Sequence, residues 1–178
     1  IKKNDIYKGI SSLKIDDLKA NSTLIGNADL QINASKDLKS FLMDLKVNDD
    51  VNEILSLSGN FGIEENFFPL DLNLKMKKFS IAPFSKIGDN VITDFKGYFN
   101  SEIAISGNTS KPNFDGFINT ESVGFLIPYL NVRYNLSNNP KFILNEQDFK
   151  LINFNLNNTQ TETNGNLEGI ISHNEFKN

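Results

Sequence analysis

The stretch LDLNLKMK at residues 70–77 alternates apolar and polar side chains without a break. Successive side chains on a β-strand point to opposite faces of the sheet, so this period of two predicts a strand with one apolar face and one polar face. The same alternation recurs at residues 28–33, 130–136 and 152–157. Strands of this kind are typical of an antiparallel sheet that has one face in contact with water.

Turn-forming residues separate the alternating stretches at intervals of roughly 8–12 residues, as in all-β folds. The clearest are GNTSKP at residues 107–112 and SNNP at residues 137–140. The pattern as a whole predicts about eleven or twelve strands in an all-β, meandering antiparallel sheet.

Three places leave room for a different local structure. Apolar side chains at residues 38–45 fit a helix after Ser35, but they also alternate between predicted strands, so we expect a strand there. The pair Asn164-Gly165 fits a hairpin turn, yet the period of two runs through it and favours an unbroken strand. Pro83, followed closely by Gly88, predicts a short helical turn or lid near residues 82–88.

The composition narrows the chemistry that the chain can perform. Its 178 residues are 39% hydrophobic and 22% charged with a net charge of −4, which excludes collagen-like, disulfide-stapled and strongly disordered chains. With no Cys and one His, it cannot build Cys-based zinc sites, Cys nucleophiles or multi-His metal sites. The scattered Lys and Arg residues give no electrostatic basis for binding nucleic acid. We expect no catalytic residue, no metal and no cofactor, and therefore no enzyme.

Two polar clusters could carry chemistry, and both have simpler interpretations. His173 follows Ser172, but nothing in the sequence marks the oriented base and oxyanion donors that a nucleophile needs, which favours a surface histidine. Asp49-Asp50 resembles the start of a calcium loop. It lacks the Gly and the closing Glu of such loops, which favours a solvated turn.

The ends of the chain indicate a piece of a longer protein. No signal-peptide pattern follows Ile1, and no stop-like punctuation precedes Asn178. The longest nearly apolar run, at residues 123–130, is far shorter than the ~20 residues that a membrane-spanning helix needs. We expect an internal segment.

One ordered set of motifs is more specific than composition. Residues 97–107 (GYFNSEIAISG) run into residues 108–118 (NTSKPNFDGFI), and FLIPYLNV follows at residues 125–132. This order resembles the TamB family, in which a strand ending in Ser-Gly-Thr precedes Lys-Pro, an aliphatic residue, Gly, a second strand and a Val-Pro-Tyr-like segment. Residues 171–174 resemble the end of the following repeat in versions from Bacteroidota. Phe114 and Thr120 depart from the family pattern, at positions that concern groove width.

The resemblance covers residues 68–178, whereas residues 1–67 share only the rhythm of the strands. It implies that residues 1–178 are a single segment of a longer repeating β-groove protein, with 1–67 as preceding strands of the same sheet. Such a protein is periplasmic, is anchored in the inner membrane by an N-terminal helix outside this segment, and is similar to AsmA-like bridge-type lipid carriers.

The family's attributed role is outer-membrane biogenesis, in which phospholipid is moved and barrel proteins are assembled. The partners implied are phospholipid acyl chains, an outer-membrane barrel of the TamA or BamA type, and neighbouring repeats of the same chain. The implied architecture is a curled sheet that forms an open apolar groove, a β-taco. The apolar members of the alternating runs are expected to line its concave side: Leu70, Leu72, Leu74, Met76, Ile103, Ile105, Phe114, Ile118, Leu130, Val132, Tyr134, Leu136, Ile152, Phe154 and Leu156.

The same alternation also fits a closed β-sandwich that acts as a structural or adhesion module, because the inward side chains of two sheets would then pack on each other. A carbohydrate-binding or enzymatic β-domain is a third possibility, although the chain has no Trp and no acidic pair at a recognisable spacing. An open sheet should bury fewer apolar side chains completely than a compact sandwich, and this difference separates the first two hypotheses.

Overall fold

The computed structural model describes residues 9–63, 68–85, 91–158 and 160–172. Eleven strands and two short 3-10 turns make up most of this part of the chain. The strands are β1 (Ile10–Ala20), β2 (Thr23–Ala34), β3 (Ser40–Asn48), β4 (Glu53–Gly62), β5 (Pro69–Ser80), β6 (Thr93–Asn108), β7 (Lys111–Ile127), β8 (Val132–Ser137), β9 (Lys141–Glu146), β10 (Asp148–Asn158) and β11 (Thr163–Ser172). The first turn, Ala82–Phe84, lies between β5 and β6 and is called the capping turn below; the second is Pro128–Leu130.

All eleven strands belong to one antiparallel sheet. From β1 to β7 each strand pairs with the next strand along the chain; β8 and β9 then lie end to end between β7 and β10, and β11 pairs with β10. The predicted all-β, meandering antiparallel fold is therefore confirmed, as are the strands at residues 40–48 and 163–172. Within the described residues β1 and β11 each pair along one edge only.

The SNNP stretch at residues 137–140 interrupts a strand and does not reverse the chain. Strands β8 and β9 both run antiparallel to β7, so the chain keeps its direction across the interruption. Asn138 and Asn139 adopt positive φ angles of 64° and 52°. The carbonyl of Pro140 accepts hydrogen bonds from the backbone N–H and the hydroxyl of Thr120 at 3.1 and 2.9 Å. These bonds hold the interruption against β7.

The register divides the side chains into two faces. Leu45, Leu57 and Leu74 lie side by side on adjacent strands, and we call their side of the sheet the apolar face. Lys46, Ser56, Lys75 and Glu102 lie side by side on the opposite side, the polar face. Ion pairs on the polar face, such as Lys75 with Glu102 at 3.9 Å, are exposed and contribute little to stability. Register therefore decides which face meets water.

The same local irregularity occurs in β1, β5, β7 and β10, and also in β6 at Asp94, whose φ is 50°. The register shifts between Ile15 and Leu18 in β1, between Met76 and Phe79 in β5, and between Leu151 and Phe154 in β10. In β7 a similar shift follows Glu121. In each case one inserted residue has a positive φ: Asp17 at 53°, Lys78 at 48°, Ser122 at 53° and Asn153 at 59°. A bulge of this kind adds one residue and bends the strand. In β1, β5 and β10 the apolar side chains on the two sides of the bulge are consequently three residues apart.

The most closely packed region lies where the capping turn meets the apolar face. Ala28, Val47, Ile54 and Phe79 come from four successive strands and form a buried cluster, and Phe84 of the capping turn packs against it. Pro83 is fully buried, and its carbonyl accepts a 2.8 Å hydrogen bond from the side-chain amide of Asn21 in the β1–β2 turn. The capping turn thus covers one end of the apolar face. It matches the helical turn predicted near residues 82–88, of which residues 86–88 lie outside the described part of the chain.

Glycines on the apolar face, among them Gly59 and Gly116, allow unusually close approach of neighbouring strands. Gly59 lies opposite Leu72 with φ +141°, and Gly116 lies opposite Ile103 with φ +148°. A Cβ atom at either position would lie 2.1 Å from a backbone oxygen of the adjacent strand, that of Asp71 or of Glu102. Glycine kinks of this kind are a known means of bending a sheet.

We expect Gly59→Ala and Gly116→Ala each to lower the free energy of unfolding by more than about 1 kcal/mol, because Ala tolerates neither the positive φ nor the contact. Gly169→Ala is the matched control, since a Cβ there meets nothing within 4 Å. Urea unfolding of the three variants measures the difference. Equal stability of Gly59→Ala and Gly169→Ala would contradict the requirement for close approach.

Candidate functional site

An uninterrupted row of apolar residues crosses the sheet from its first strand to its last. Each member lies directly opposite the next on the neighbouring strand, and all of them lie on the apolar face. The row consists of Leu13, Leu30, Leu45, Leu57, Leu74, Ile103, Gly116, Leu144, Phe149 and Ile171. At ~4.8 Å between strands it extends over ~43 Å. No charged or hydrogen-bonding side chain breaks it.

The register places most of the residues predicted to line a groove on this apolar face. They are Leu70, Leu72, Leu74, Met76, Ile103, Ile105, Phe114, Ile118, Val132, Tyr134, Leu136, Phe154 and Leu156. These residues belong to strands β5 to β7 and β8 to β10, which lie within residues 68–178, the part of the chain that resembles the TamB family.

The placement predicted for two residues is wrong. Leu130 is the last residue of the second 3-10 turn, and Asn131 follows it in the left-handed conformation, so the strand begins only at Val132. Leu130 is 54% exposed. Ile152 lies opposite Lys141 on the polar face, because the bulge at Asn153 shifts the register. A strict period of two cannot detect such an inserted residue.

The residues predicted to line the groove do not include the apolar face of β2, β3 and β4. Side chains there continue the same surface: Ala28, Leu30, Ile32, Phe41, Met43, Leu45, Val47, Leu55, Leu57 and Phe61. Their alternation was visible in the sequence at residues 28–32 and 41–47. The family resemblance covers residues 68–178 and implies nothing about the placement of these side chains. Paired rings, including Phe41–Phe61 at 5.1 Å and Phe142–Phe154 at 4.8 Å, add aromatic contacts at both ends of the sheet.

Burial on the apolar face is incomplete. Among the described residues, Pro83 is the one large side chain that is fully buried, and most apolar-face residues are half-buried. The accessible surface of the chain is 12029 Å², whereas a compact monomer of this mass exposes about 8,700 Å². All described strands belong to one sheet, so no second sheet among them packs on the apolar face. Outside the part under the capping turn, most side chains of this face remain half-buried within the described residues.

The hydroxyl group of Ser101 is a polar group without a partner within the apolar face. Ser101 lies between Met76 and Ile118 on the neighbouring strands and is 3% exposed. Its hydroxyl makes no hydrogen bond to the described part of the chain. A buried hydroxyl group without a hydrogen-bond partner destabilises a fold. Ser101 therefore lowers the free energy of unfolding.

The other candidate polar residues form no reactive or metal-binding arrangement that the structure describes. Asp49 accepts hydrogen bonds from the backbone N–H groups of Val51 and Asn52 at 2.9 and 2.7 Å, and these bonds lower the pKa of its carboxyl group. It therefore closes the β3–β4 turn, as expected for a solvated turn. No group of three or more His, Cys, Asp or Glu side chains converges within residues 9–63, 68–85, 91–158 and 160–172. His173 lies outside these ranges.

Comparison with known proteins identifies no relative: no protein-family model, no curated protein and no solved structure matches the chain. In the described part of the chain, no helix has the length and apolar character needed to cross a membrane.

We expect Ser101→Ala to raise the free energy of unfolding by about 1 kcal/mol, at the low end of the ~1–3 kcal/mol cost of an unsatisfied buried polar group. Ser56→Ala, on the polar face of strand β4, should change stability little and serves as the control. Chemical denaturation of both variants tests this. A loss of stability in Ser101→Ala would mean that the hydroxyl has a binding partner after all.

Proposed function

We propose that the chain is a periplasmic segment of a TamB-like protein and that its apolar face forms a groove for phospholipid acyl chains. The observation that carries this proposal is the row of apolar residues that crosses the whole sheet from Leu13 to Ile171 without a covering layer. In this function the segment is part of a path between the inner and outer membranes.

The size of the hydrophobic effect explains why such a face suits this task. Exposing a ~16-carbon acyl chain to water costs ~0.8 kcal/mol per methylene, or ~13 kcal/mol in total. A continuous apolar surface removes much of that cost along the whole path, whereas isolated apolar patches would leave barriers between them. The function needs no nucleophile, titratable group, cofactor or metal.

The contrast with a closed β-sandwich also favours this function. In a sandwich the inner faces of two sheets meet and exclude water, which requires a second sheet and many fully buried side chains. The described strands instead form one sheet, and apolar-face residues such as Leu57 and Leu74 remain half-buried. The sandwich is the second candidate function, as a structural or adhesion module without ligand.

The family assignment rests on the motif at residues 97–118, which forms the β6–β7 hairpin. In the turn of this hairpin, the side-chain oxygen of Asn108 accepts hydrogen bonds from the backbone N–H groups of Ser110 and Lys111 at 2.9 and 3.0 Å. We infer from the resemblance a protein anchored in the inner membrane, an outer-membrane barrel of the TamA or BamA type as partner, and a role in assembling outer-membrane proteins. Within the described residues β1 and β11 each pair along one edge only, and on the other edge neighbouring repeats would continue the sheet.

A charge placed on the apolar row tests the function. Leu57→Asp should reduce transfer of a fluorescent phospholipid between vesicles while leaving the sheet folded, because a charge in an open groove stays hydrated. In a dry sandwich core the same charge would cost several kcal/mol, comparable to the whole stability of ~5–15 kcal/mol. Ser56→Asp is the matched control, because it adds the same charge to the polar face one residue away.

A photo-crosslinking amino acid at the same two positions gives a second measurement. With phosphatidylcholine vesicles present, the probe at position 57 should capture phospholipid and the probe at position 56 should capture little. Unfolding of Leu57→Asp, together with the absence of a lipid adduct at position 57, would favour the structural module over the groove.

A further inference from the structure

A purely apolar cavity lies on the apolar face beside the capping turn. Its volume is about 240 Å³. Six side chains from the end of β5, the capping turn and the start of β6 line it: Met76, Phe79, Ile81, Phe84, Phe95 and Phe99.

The walls of the cavity are held in place by contacts described above. Phe79 and Ile81 are buried, and the ring of Phe84 lies 6.0 Å from that of Phe79. The buried Pro83 and the hydrogen bond from Asn21 fix the capping turn across the face. The Ser85 hydroxyl donates to the carbonyl of Ala82 at 2.8 Å, which closes this turn on itself. The cavity is therefore part of the fold rather than a gap between loose side chains.

The lining determines what can bind. None of the six side chains carries a nitrogen or oxygen atom, so a charged or hydrogen-bonding group inside would lose its hydration without compensation. Apolar cavities of ~150 Å³ remain dry and bind small hydrocarbons. This cavity is larger, and aromatic rings and a thioether suit a flexible hydrocarbon.

The position of the cavity indicates which part of a lipid enters it. The strands run beneath the capping turn, so a chain that lies along them on the apolar face meets the cavity at its end. A headgroup would find no polar partner among the six lining side chains, whereas a terminal methyl group needs none. A methylene group takes up about the volume of a water molecule, ~30 Å³, so the cavity holds roughly eight such groups.

We propose that this cavity binds the methyl end of a single fatty acyl chain, up to about half of a 16-carbon chain, with the headgroup directed away from the capping turn. This inference rests on the proposed function, since it assumes that acyl chains reach the apolar face. It adds a defined binding site and a fixed orientation of the guest at that site.

The experiment uses a single reporter tryptophan, because the chain contains no Trp of its own. Phe99→Trp places the reporter in the cavity. Phe61→Trp places it on the same face at the other end of the strands, opposite Leu70, and is the matched control. Each variant of the whole chain is titrated with hexadecanoate brominated at carbon 16 or at carbon 2, because bromine quenches tryptophan emission on contact.

We expect the carbon-16 bromide to quench Phe99→Trp at least twofold more strongly than the carbon-2 bromide, and this preference to be absent in Phe61→Trp. Equal quenching by the two bromides at Phe99→Trp, or a preference for carbon 2, would overturn the site while leaving the groove intact. Quenching at neither position would refute both the site and the groove. Carbon-16 quenching at Phe99→Trp with none at Phe61→Trp would support the site and count against a continuous groove. Phe95→Trp, which also lines the cavity, repeats the measurement if Phe99→Trp does not fold.

Discussion

The constraint on which the rest of the structure depends is register. A single sheet with one apolar face keeps that face continuous only if every strand pairs so that apolar residues meet apolar residues. Here the matching holds along the row from Leu13 in β1 to Ile171 in β11. A slip of one residue in any strand would place polar side chains in the row and move its apolar side chains to the polar face. The cross-strand pairs of the apolar face therefore stabilise the fold and define the candidate site at the same time.

The bulges preserve this matching while they bend the strands. After the inserted residue at Lys78, Phe79 returns to the apolar face opposite Phe99, and after Asn153, Phe154 returns to it beside Phe142. A bulge costs an unpaired backbone position but increases local twist. Together with the close approach at Gly59 and Gly116, it allows a wide sheet to depart from flatness without breaking its apolar rows.

Alternation in the sequence was sufficient to predict the all-β fold and most of the apolar face, because period two reports strand faces directly. The prediction failed where a bulge inserted a residue and so shifted the alternation between the two faces. The pairs Asp16-Asp17 and Lys77-Lys78 are polar insertions between apolar residues, so these bulges leave a signal in the sequence. At Ile152 the inserted pair begins with an apolar residue and imitates uninterrupted alternation. The cavity beside the capping turn could not be predicted, since it requires Phe84 and Phe95 to meet from different elements.

The pattern of burial across the sheet is what an open segment would produce. Leu72, near the middle, is 8% exposed, whereas Leu13 on β1 and Leu167 on β11 are 52% and 49% exposed. Among the described strands, β1 and β11 each have a neighbouring strand on one side only, so an apolar side chain on either has fewer strand neighbours than one near the middle. Exposed edges of this kind favour pairing with a further strand. In the proposed function such a strand would complete the sheet and also lengthen the apolar row, so the same contact would stabilise the segment and extend the path for its guest.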